Sequence, residues 1–143
     1  MRLLEPNSPE DFEKYYQLRW EVLRKPWNQP KGSEKDDAEN VSIHIMALDD
    51  NDECVGVSRL QLNSPQVAQV RFMGVRDDQQ GKGVGKLLMN YLETKAKNAG
   101  VEKVILQARE NAVPFYLSIG YVVKEKTFKL WDIIQHFLMD KDL

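Results

Sequence analysis

The chain has 143 residues, with 20 lysines and arginines against 22 aspartates and glutamates, and 42% of its residues are hydrophobic. This length predicts one domain, residues 1–143, which can bury a core without a metal or a disulfide. A net charge of −2 disfavours nucleic-acid binding, and no apolar run is long enough to span a membrane. A single cysteine, Cys54, and a start without the apolar core of a signal peptide indicate a reducing, cytoplasmic location.

The first half of the chain is predicted to contain a short strand, one helix and then three longer strands. The predicted elements are, in order, a short strand at 3–4, a helix that begins at residue 7, 8 or 9 and ends before Pro26, a mobile polar loop at 27–39, and strands at 43–47, 54–62 and 67–75. Short turns rich in Asp, Asn, Ser and Pro connect these strands, so we expect them to be antiparallel.

The spacing of the apolar residues changes at Gly83. Apolar residues then recur at helical spacing as far as Ala99, and Gly100 ends the helix. A strand at 104–108, a short helix at 111–118 and strands at 121–128 and 133–139 follow. The strand–helix–strand order across Gly83 predicts a βαβ crossover with parallel pairing. The fold class is therefore α+β: a mixed, mostly antiparallel sheet with a central βαβ crossover and flanking helices.

One segment suggests chemistry, because a polar turn with three alternate glycines leads directly into the strong helix. Gly81, Gly83 and Gly85 permit close approach of a ligand, and the first-turn N–H groups of the helix have no internal partners. The helix dipole makes this an anion site suited to a pyrophosphate, and Lys82 and Lys86 add positive charge. The letters fit neither a Walker A loop nor a Rossmann fingerprint. A glycine-rich turn without a ligand is the alternative.

Two motifs resemble those of the GNAT N-acetyltransferases. Gln80-x-x-Gly83-x-Gly85 matches the acetyl-CoA signature of that superfamily, and the segment from Asn111 to Tyr121 matches its second motif. The element order matches as well, so the resemblance covers nearly the whole chain. Within the superfamily the sequence is similar to the small single-domain ElaA-like branch, through Leu18-Arg19-Trp20, His44, Arg71-Phe72-Met73 and Ile134-Gln135-His136.

The resemblance implies the acyl-CoA N-acyltransferase fold and acetyl-CoA as co-substrate, with its pantetheine arm between two parallel strands that splay apart, Gln69–Val75 and Lys103–Ala108. Backbone groups near Met73, Gly74 and Val75 would bind the arm, and the N–H groups from Gly81 to Lys86 the pyrophosphate. Asn111 would donate to the co-substrate, and Phe115 would pack on the arm. The full set of implied co-substrate residues is Met73, Gly74, Val75, Gln80, Gly81, Lys82, Gly83, Val84, Gly85, Lys86, Asn111 and Phe115.

Direct attack of an amine on a thioester needs a neutral amine and a donor for the departing thiolate. Tyr116 matches the superfamily's general acid at the thiolate. A thiol with a pKa near ~8.5 and a phenol near ~10 make full proton transfer uphill by roughly 2 kcal/mol in water. A hydrogen bond from Tyr116 to the thiolate is therefore at least as good an explanation as complete transfer.

The group that takes the proton of the amine is open. The strand before the glycine loop carries no carboxylate, because it reads Gln69-Val70-Arg71-Phe72-Met73. The candidate acceptor-side residues are Arg19, His44, Arg71 and His136, and a structural role is the alternative for each histidine. Glu21, Glu39 or a chain of waters could also serve. Trp27 is the tryptophan best placed to contact the acceptor, and Asp36, Asp37 and Glu39 either attract a cationic amine or solubilise the loop.

The sequence thus predicts transfer of an acetyl group to an unidentified primary amine in a ternary complex, without a metal, since two histidines and one cysteine make no metal site. The main alternative is a non-catalytic domain that senses CoA or acetyl-CoA. A plain interaction module with no ligand is a second. The resemblance also implies that an exposed final strand could pair two subunits into a homodimer.

Overall fold

A computed structural model describes all residues, 1–143, and shows seven strands in one mixed sheet with helices on both faces. The elements are β1 (Arg2–Leu4), α1 (Pro9–Leu23), β2 (Ile43–Leu48), β3 (Cys54–Leu62), β4 (Val67–Val75), α2 (Val84–Asn98), β5 (Lys103–Arg109), α3 (Val113–Ser118), β6 (Val122–Leu130) and β7 (Ile134–Asp142). Short 3-10 turns lie at Lys25–Trp27, Glu39–Val41, Asp77–Gln79 and Glu110–Ala112. The predicted α+β class is confirmed. All three helices fall short of the length and apolar character that crossing a bilayer requires.

The strands lie in the order β1-β2-β3-β4-β5-β7-β6, and every neighbouring pair is antiparallel except β4 and β5. Helix α2 connects that parallel pair, as the βαβ pattern predicts. The expectation of an exposed final strand is wrong, because β7 lies between β5 and β6 and is paired on both sides. The free edge at this end of the sheet belongs to β6, whose Val122, Val123 and Phe128 are exposed.

Helix α1 begins at a reciprocal cap. The Ser8 hydroxyl accepts from the Asp11 N–H at 3.1 Å, and the Asp11 carboxylate accepts from the backbone N–H groups of Asn7 and Ser8. Pro9 occupies the first turn, where its missing N–H costs nothing. The helix ends at Leu23, three residues before Pro26. Of the three starting positions that the sequence allows, Ser8 is thus the cap.

The two faces of the sheet bury separate apolar clusters. On one face, Tyr15 and Leu18 of α1 pack against Met46, Leu48 and Val57. On the other face, α2 and α3 cover the larger cluster, whose most buried members are Ile45, Ala47, Val55, Leu60, Ala68, Val84, Leu88, Met89, Leu92, Ala96, Val104, Tyr121 and Met139. A Cβ added to Gly56 would lie 2.7 Å from Val84 Cγ1, so this glycine lets α2 approach β3 closely.

The polar segment 27–39 is not the mobile loop that its composition predicts. Arg19 Nη1 donates to the Glu34 carbonyl at 3.0 Å, Arg24 Nε donates to the Ser33 carbonyl at 3.0 Å, and Trp20 Nε1 donates to the Gln29 carbonyl at 3.0 Å. The side chain of Glu34 is almost fully buried. Three donors on or just after α1 therefore fix this segment as a cover over the helix.

Candidate active site

A gap in the middle of the sheet separates β4 from β5. Their parallel pairing starts at Val67↔Lys103 and ends at Val70↔Leu106, although both strands continue beyond these residues. A bulge in β4 lies where the gap opens: Ser58 of β3 faces both Phe72 and Met73, and Phe72 has a positive φ of 57°. The edges at 71–75 and 107–109 are thus left facing each other without ladder hydrogen bonds.

The β4 edge of the gap contains Met73, Gly74 and Val75. Gly74 packs under α1, where an added Cβ would lie 3.2 Å from Val22 Cγ1. The carbonyl oxygen of Val75 accepts from Gln80 Nε2 at 3.1 Å, so the Gln80 side chain ties the glycine loop to the end of β4. Gln80 therefore shapes the loop whether or not it also contacts a ligand.

The glycine loop presents a row of free backbone donors. Gly81 and Gly83 have φ values of 77° and 85°, which side chains with a Cβ seldom adopt. The N–H groups of residues 81–86 donate to no group in the protein, and no side chain caps α2. Six consecutive free donors at the positive end of a 15-residue helix form a strong anion site. Lys82 and Lys86 are exposed at its rim.

Phe115 joins the glycine loop to α3. A Cβ added to Gly85 would lie 3.0 Å from Phe115 Cζ, so the ring rests directly on the first turn of α2. Asn111, in the 3-10 turn after β5, is exposed and its side chain has no hydrogen-bond partner in the protein. The two predicted residues of the second motif thus lie next to the loop and at the end of β5.

Tyr116 of α3 is buried among aromatic rings, with only 6% of its surface exposed. Its ring meets Phe115 and Tyr121 edge-on, at centroid distances of 5.0 and 5.8 Å. Burial raises the pKa of Tyr116 above its ordinary value, and the positive charge of Arg109 opposes this shift only in part. The hydroxyl makes no hydrogen bond in the protein, although it is not sealed from solvent. Tyr116 is therefore a protonated donor without a partner.

His44 is engaged at both ring nitrogens. Its Nε2 is 2.7 Å from the Glu39 carbonyl oxygen and its Nδ1 is 2.8 Å from the Tyr15 hydroxyl. Because a carbonyl only accepts, Nε2 carries the proton. Burial, aided by the charges of Arg19 and Arg59, lowers the pKa of His44. Both ring nitrogens thus lie within hydrogen-bonding distance of core groups, and the Tyr15 hydroxyl beside Nδ1 also donates to the Ser58 carbonyl at 3.0 Å, so His44 is part of the core network.

Arg19 belongs to the same buried network and cannot contact an amine substrate. It is fully buried, and its guanidinium donates to the Glu39 carboxylate at 2.9 Å and to the Tyr15 hydroxyl at 2.8 Å. Arg59, also fully buried, binds Asp36 at 2.6 Å and Glu39 at 2.7 Å. Although burial acts to raise it, hydrogen bonds from Arg59 and from the Ala38 N–H lower the pKa of Asp36 to about 2.

This network corrects two expectations. Glu39 and Asp36 neither attract a cationic amine nor merely solubilise a loop, because each neutralises a buried arginine. Arg71, by contrast, is partly exposed and only loosely tied to Asp36, at 3.3 Å. Of the predicted acceptor-side arginines, only Arg71 is thus free to contact another molecule.

His136 differs from His44 because one of its nitrogens is free. Nδ1 is 2.9 Å from the Ile134 carbonyl oxygen, so Nδ1 carries the proton and Nε2 keeps its lone pair. The ring stacks on Phe128 at 4.4 Å and lies opposite Arg109 in the β5–β7 ladder. Burial and the charges of Arg109 and Arg24 lower its pKa, which keeps the ring neutral.

Two arginines at the gap were not singled out from the sequence. Arg24 follows the last residue of α1 and Arg109 is the last residue of β5, and both donate to the Leu23 carbonyl, at 3.0 and 3.1 Å. Trp27 and Trp131 flank them, with the Arg109 guanidinium 6.0 Å from Trp27 and that of Arg24 5.3 Å from Trp131. In β5, Val104, Leu106 and Ala108 face the core, so alternation alone places Arg109 on the other face of the sheet, and the sequence could have shown this. No local pattern in the sequence links Arg109 to Arg24.

Other reactive groups lie elsewhere. Burial raises the pKa of the Cys54 thiol to about 12, which makes it a poor nucleophile. No three His, Cys, Asp or Glu side chains are grouped to hold a metal. A cleft of about 490 Å³ beside the start of α1 contains His44 but no residue of the gap, so it is separate from the candidate site.

Comparisons with known proteins place this geometry in a family. Residues 15–143 match the family described as "Acetyltransferase (GNAT) domain". An uncharacterized N-acetyltransferase of Bacillus subtilis strain 168, YjcF, is 34% identical over 143 residues, which are 99% of this chain and 100% of that protein. The chain belongs to the GNAT acetyltransferase family and is an N-acetyltransferase.

Solved structures agree on the fold. Escherichia coli ElaA has a TM-score of 0.79 at 24% identity, covering 98% of this chain and 97% of ElaA. An aminoglycoside 6'-N-acetyltransferase complexed with coenzyme A has a TM-score of 0.80 at 18% identity, covering 99% of this chain and 97% of that one. The predicted GNAT-like fold is confirmed.

Proposed function

We propose that this protein transfers the acetyl group of acetyl-CoA to a primary amine by direct attack in a ternary complex, with residues 1–143 acting as one cytoplasmic domain. The observation that carries the proposal is the gap between β4 and β5, with the six free N–H donors of residues 81–86 and the unpartnered Tyr116 hydroxyl on its α2 side. The coenzyme A complex of a fold relative supports the choice of co-substrate.

The residues divide into two groups on opposite faces of the sheet. The pyrophosphate binds the N–H groups of residues 81–86 with help from Lys82 and Lys86, while Gln80 holds the loop in place. The pantetheine arm enters the gap along Met73, Gly74 and Val75, and Phe115 and Asn111 lie beside it on the α2 side. The acceptor approaches from the α1 face, where Arg71 and His136 lie.

The reaction itself needs one proton removed and one hydrogen bond supplied. The neutral amine attacks the thioester carbonyl carbon, and the C–S bond breaks as the tetrahedral intermediate collapses. The free Nε2 of His136 is the best-prepared group to take the amine proton, directly or through a water. Tyr116 donates a hydrogen bond to the departing thiolate and, because burial raises its pKa, keeps its own proton.

Thermal unfolding with acetyl-CoA, with adenosine as the control, tests the first part. A ligand at 100 times its Kd adds about 2.7 kcal/mol, a shift of several degrees for a domain of this size. Release of CoA in the presence of a panel of primary amines tests transfer. A shift without CoA release would favour a sensor of CoA or acetyl-CoA, and no shift would leave the glycine loop as architecture.

The assembly state is a separate part of the proposal. Exposed Val122, Val123 and Phe128 make β6 the strand through which a homodimer would form, in place of β7. Sedimentation of the wild type and of a Val123→Lys variant tests this, because a charged edge would separate the subunits. A monomer at all concentrations would exclude the homodimer.

A further inference from the structure

We propose that the amine acceptor carries an anionic group, a carboxylate or a phosphate, which binds between Arg24 and Arg109 on the α1 face of the gap. This inference rests on the proposed acetyl transfer and names the class of acceptor for that site.

Buried arginines in this protein are normally neutralised by carboxylates. Arg19 and Arg59, both fully buried, bind Glu39 and Asp36 at 2.6–2.9 Å. Arg24 and Arg109 are also partly buried, yet neither donates to any carboxylate, and their only acceptors are backbone carbonyls.

The pair is also held together against its own repulsion. Both guanidinium groups donate to the same oxygen, that of Leu23, so two positive charges lie on either side of one neutral acceptor. Burial and the charge of Arg24 lower the pKa of Arg109 to about 10. The Glu34 side chain acts on Arg24 from a distance, but its Oε1 accepts from the Gly32 N–H at 2.7 Å. An anion between the two arginines would relieve this repulsion.

Unused donors surround the same place. Nη2 of Arg24 and both Nε and Nη1 of Arg109 have no acceptor in the protein. Trp27 Nε1 is buried and also has no partner, although its ring lies beside Arg109. A buried N–H without an acceptor costs free energy, so an oxyanion that reached this group would gain a hydrogen bond. Planar guanidinium groups and an indole N–H suit an oxyanion.

The position of the pair fits an acceptor rather than the co-substrate. Arg109 ends β5 where the gap is open, lies opposite His136 in the ladder and acts electrostatically on Tyr116. Phe72, in the β4 bulge, contacts the Arg24 guanidinium at 5.6 Å. An amine whose anionic group binds here would reach the gap from the α1 face. The same positive charge lowers the pKa of a bound amine and disfavours polycationic acceptors.

Matched acceptors test the inference with the wild-type protein. Initial rates of CoA release are compared for L-leucine and L-phenylalanine, for their amides and for the corresponding decarboxylated amines, and for O-phosphoethanolamine against ethanolamine. We expect kcat/KM to be at least about 10-fold higher for the anionic member of a pair. Amides or decarboxylated amines that react as fast as the acids overturn the anion site, while the acetyl-transfer proposal stands.

Variants identify the residues. Arg109→Gln and Arg24→Gln should each lower kcat/KM for the anionic acceptor by about 10- to 100-fold and leave the neutral acceptor within about threefold, with partial recovery in Arg109→Lys. Arg2→Gln, which removes an exposed arginine paired with Asp52, is the matched control. An equal loss for both acceptors makes the arginines structural and overturns the inference. CoA release from no amine at all, with acetyl-CoA bound, overturns the acetyl-transfer proposal instead.

Discussion

Removing the Tyr116 hydroxyl should separate turnover from binding and stability. The hydroxyl has no hydrogen-bond partner in the protein, so Tyr116→Phe leaves no buried group unsatisfied. We expect the free energy of unfolding to change by less than about 0.5 kcal/mol. The acetyl-CoA-induced shift in Tm should also be retained, because the phosphate donors belong to residues 81–86.

The loss in turnover follows from the missing hydrogen bond to the thiolate. A hydrogen bond to a charged group contributes about 1.5–3 kcal/mol, so kcat should fall by roughly 10- to 100-fold. Steady-state CoA release at saturating acetyl-CoA measures this directly. Unchanged kcat would refute the role of Tyr116 as a donor, and equal losses in acetyl-CoA affinity and turnover would make it a structural residue.

Tyr121 provides a matched control for that experiment. It packs against Tyr116, and its hydroxyl donates to Glu93 at 2.9 Å. Tyr121→Phe should therefore lower the free energy of unfolding by about 1 kcal/mol and leave kcat unchanged. Tyr116→Phe should thus lower turnover alone, and Tyr121→Phe should lower stability alone.

Three further predictions concern the loop and the buried ion network. Gly83→Val should still fold, because an added Cβ meets no atom within 4 Å. It should abolish the Tm shift with acetyl-CoA, because valine disfavours the φ of 85° that shapes the loop. Glu39→Gln removes a negative charge that neutralises the buried Arg19 and Arg59. It should therefore lower the free energy of unfolding by about 3 kcal/mol, as measured in urea. Asp36, whose pKa falls from 3.8 to about 2 on folding, stabilises the native state fully above about pH 4, and this contribution of at most about 2 kcal/mol should disappear as the pH falls toward 2.

Each of the three has a control and a contrary outcome. A folded Gly83→Val protein that still binds acetyl-CoA would rule out the loop as the pyrophosphate site. Glu21→Gln, on the exposed surface of α1, controls for Glu39, and equal effects of the two would show that the network adds no stability. For Asp36, urea unfolding between pH 2 and pH 5 should show a flatter curve in Asp36→Asn, and parallel curves would contradict the assignment.

The sequence predicts best where structure is local. The strand bounds at 54–62 and 67–75 and the helix after Gly83 follow from alternation and helical spacing, both of which act within a few residues. The contact of Gly85 with Phe115, by contrast, is not local, because it joins the glycine loop to α3.

Features that depend on distant pairing could not be predicted in the same way. Glu39 reads as a loop carboxylate until the fold brings it to Arg19, 20 residues away, and to Arg59. The meeting of Leu23 with Arg109 joins residues 86 apart. The insertion of β7 between β5 and β6 likewise requires knowledge of long-range pairing, because a simple hairpin order would put β6 beside β5.

The short parallel ladder between β4 and β5 has a mechanical consequence. Only four residue pairs, Val67↔Lys103 to Val70↔Leu106, connect a half-sheet of β1 to β4 with a half-sheet of β5 to β7. Beyond that seam no ladder hydrogen bonds join the two halves, and a ligand chain lying between them would bridge their facing edges. Amide hydrogen exchange at residues 71–75 and 107–109 should then slow when acetyl-CoA binds, and the two halves should unfold as one unit.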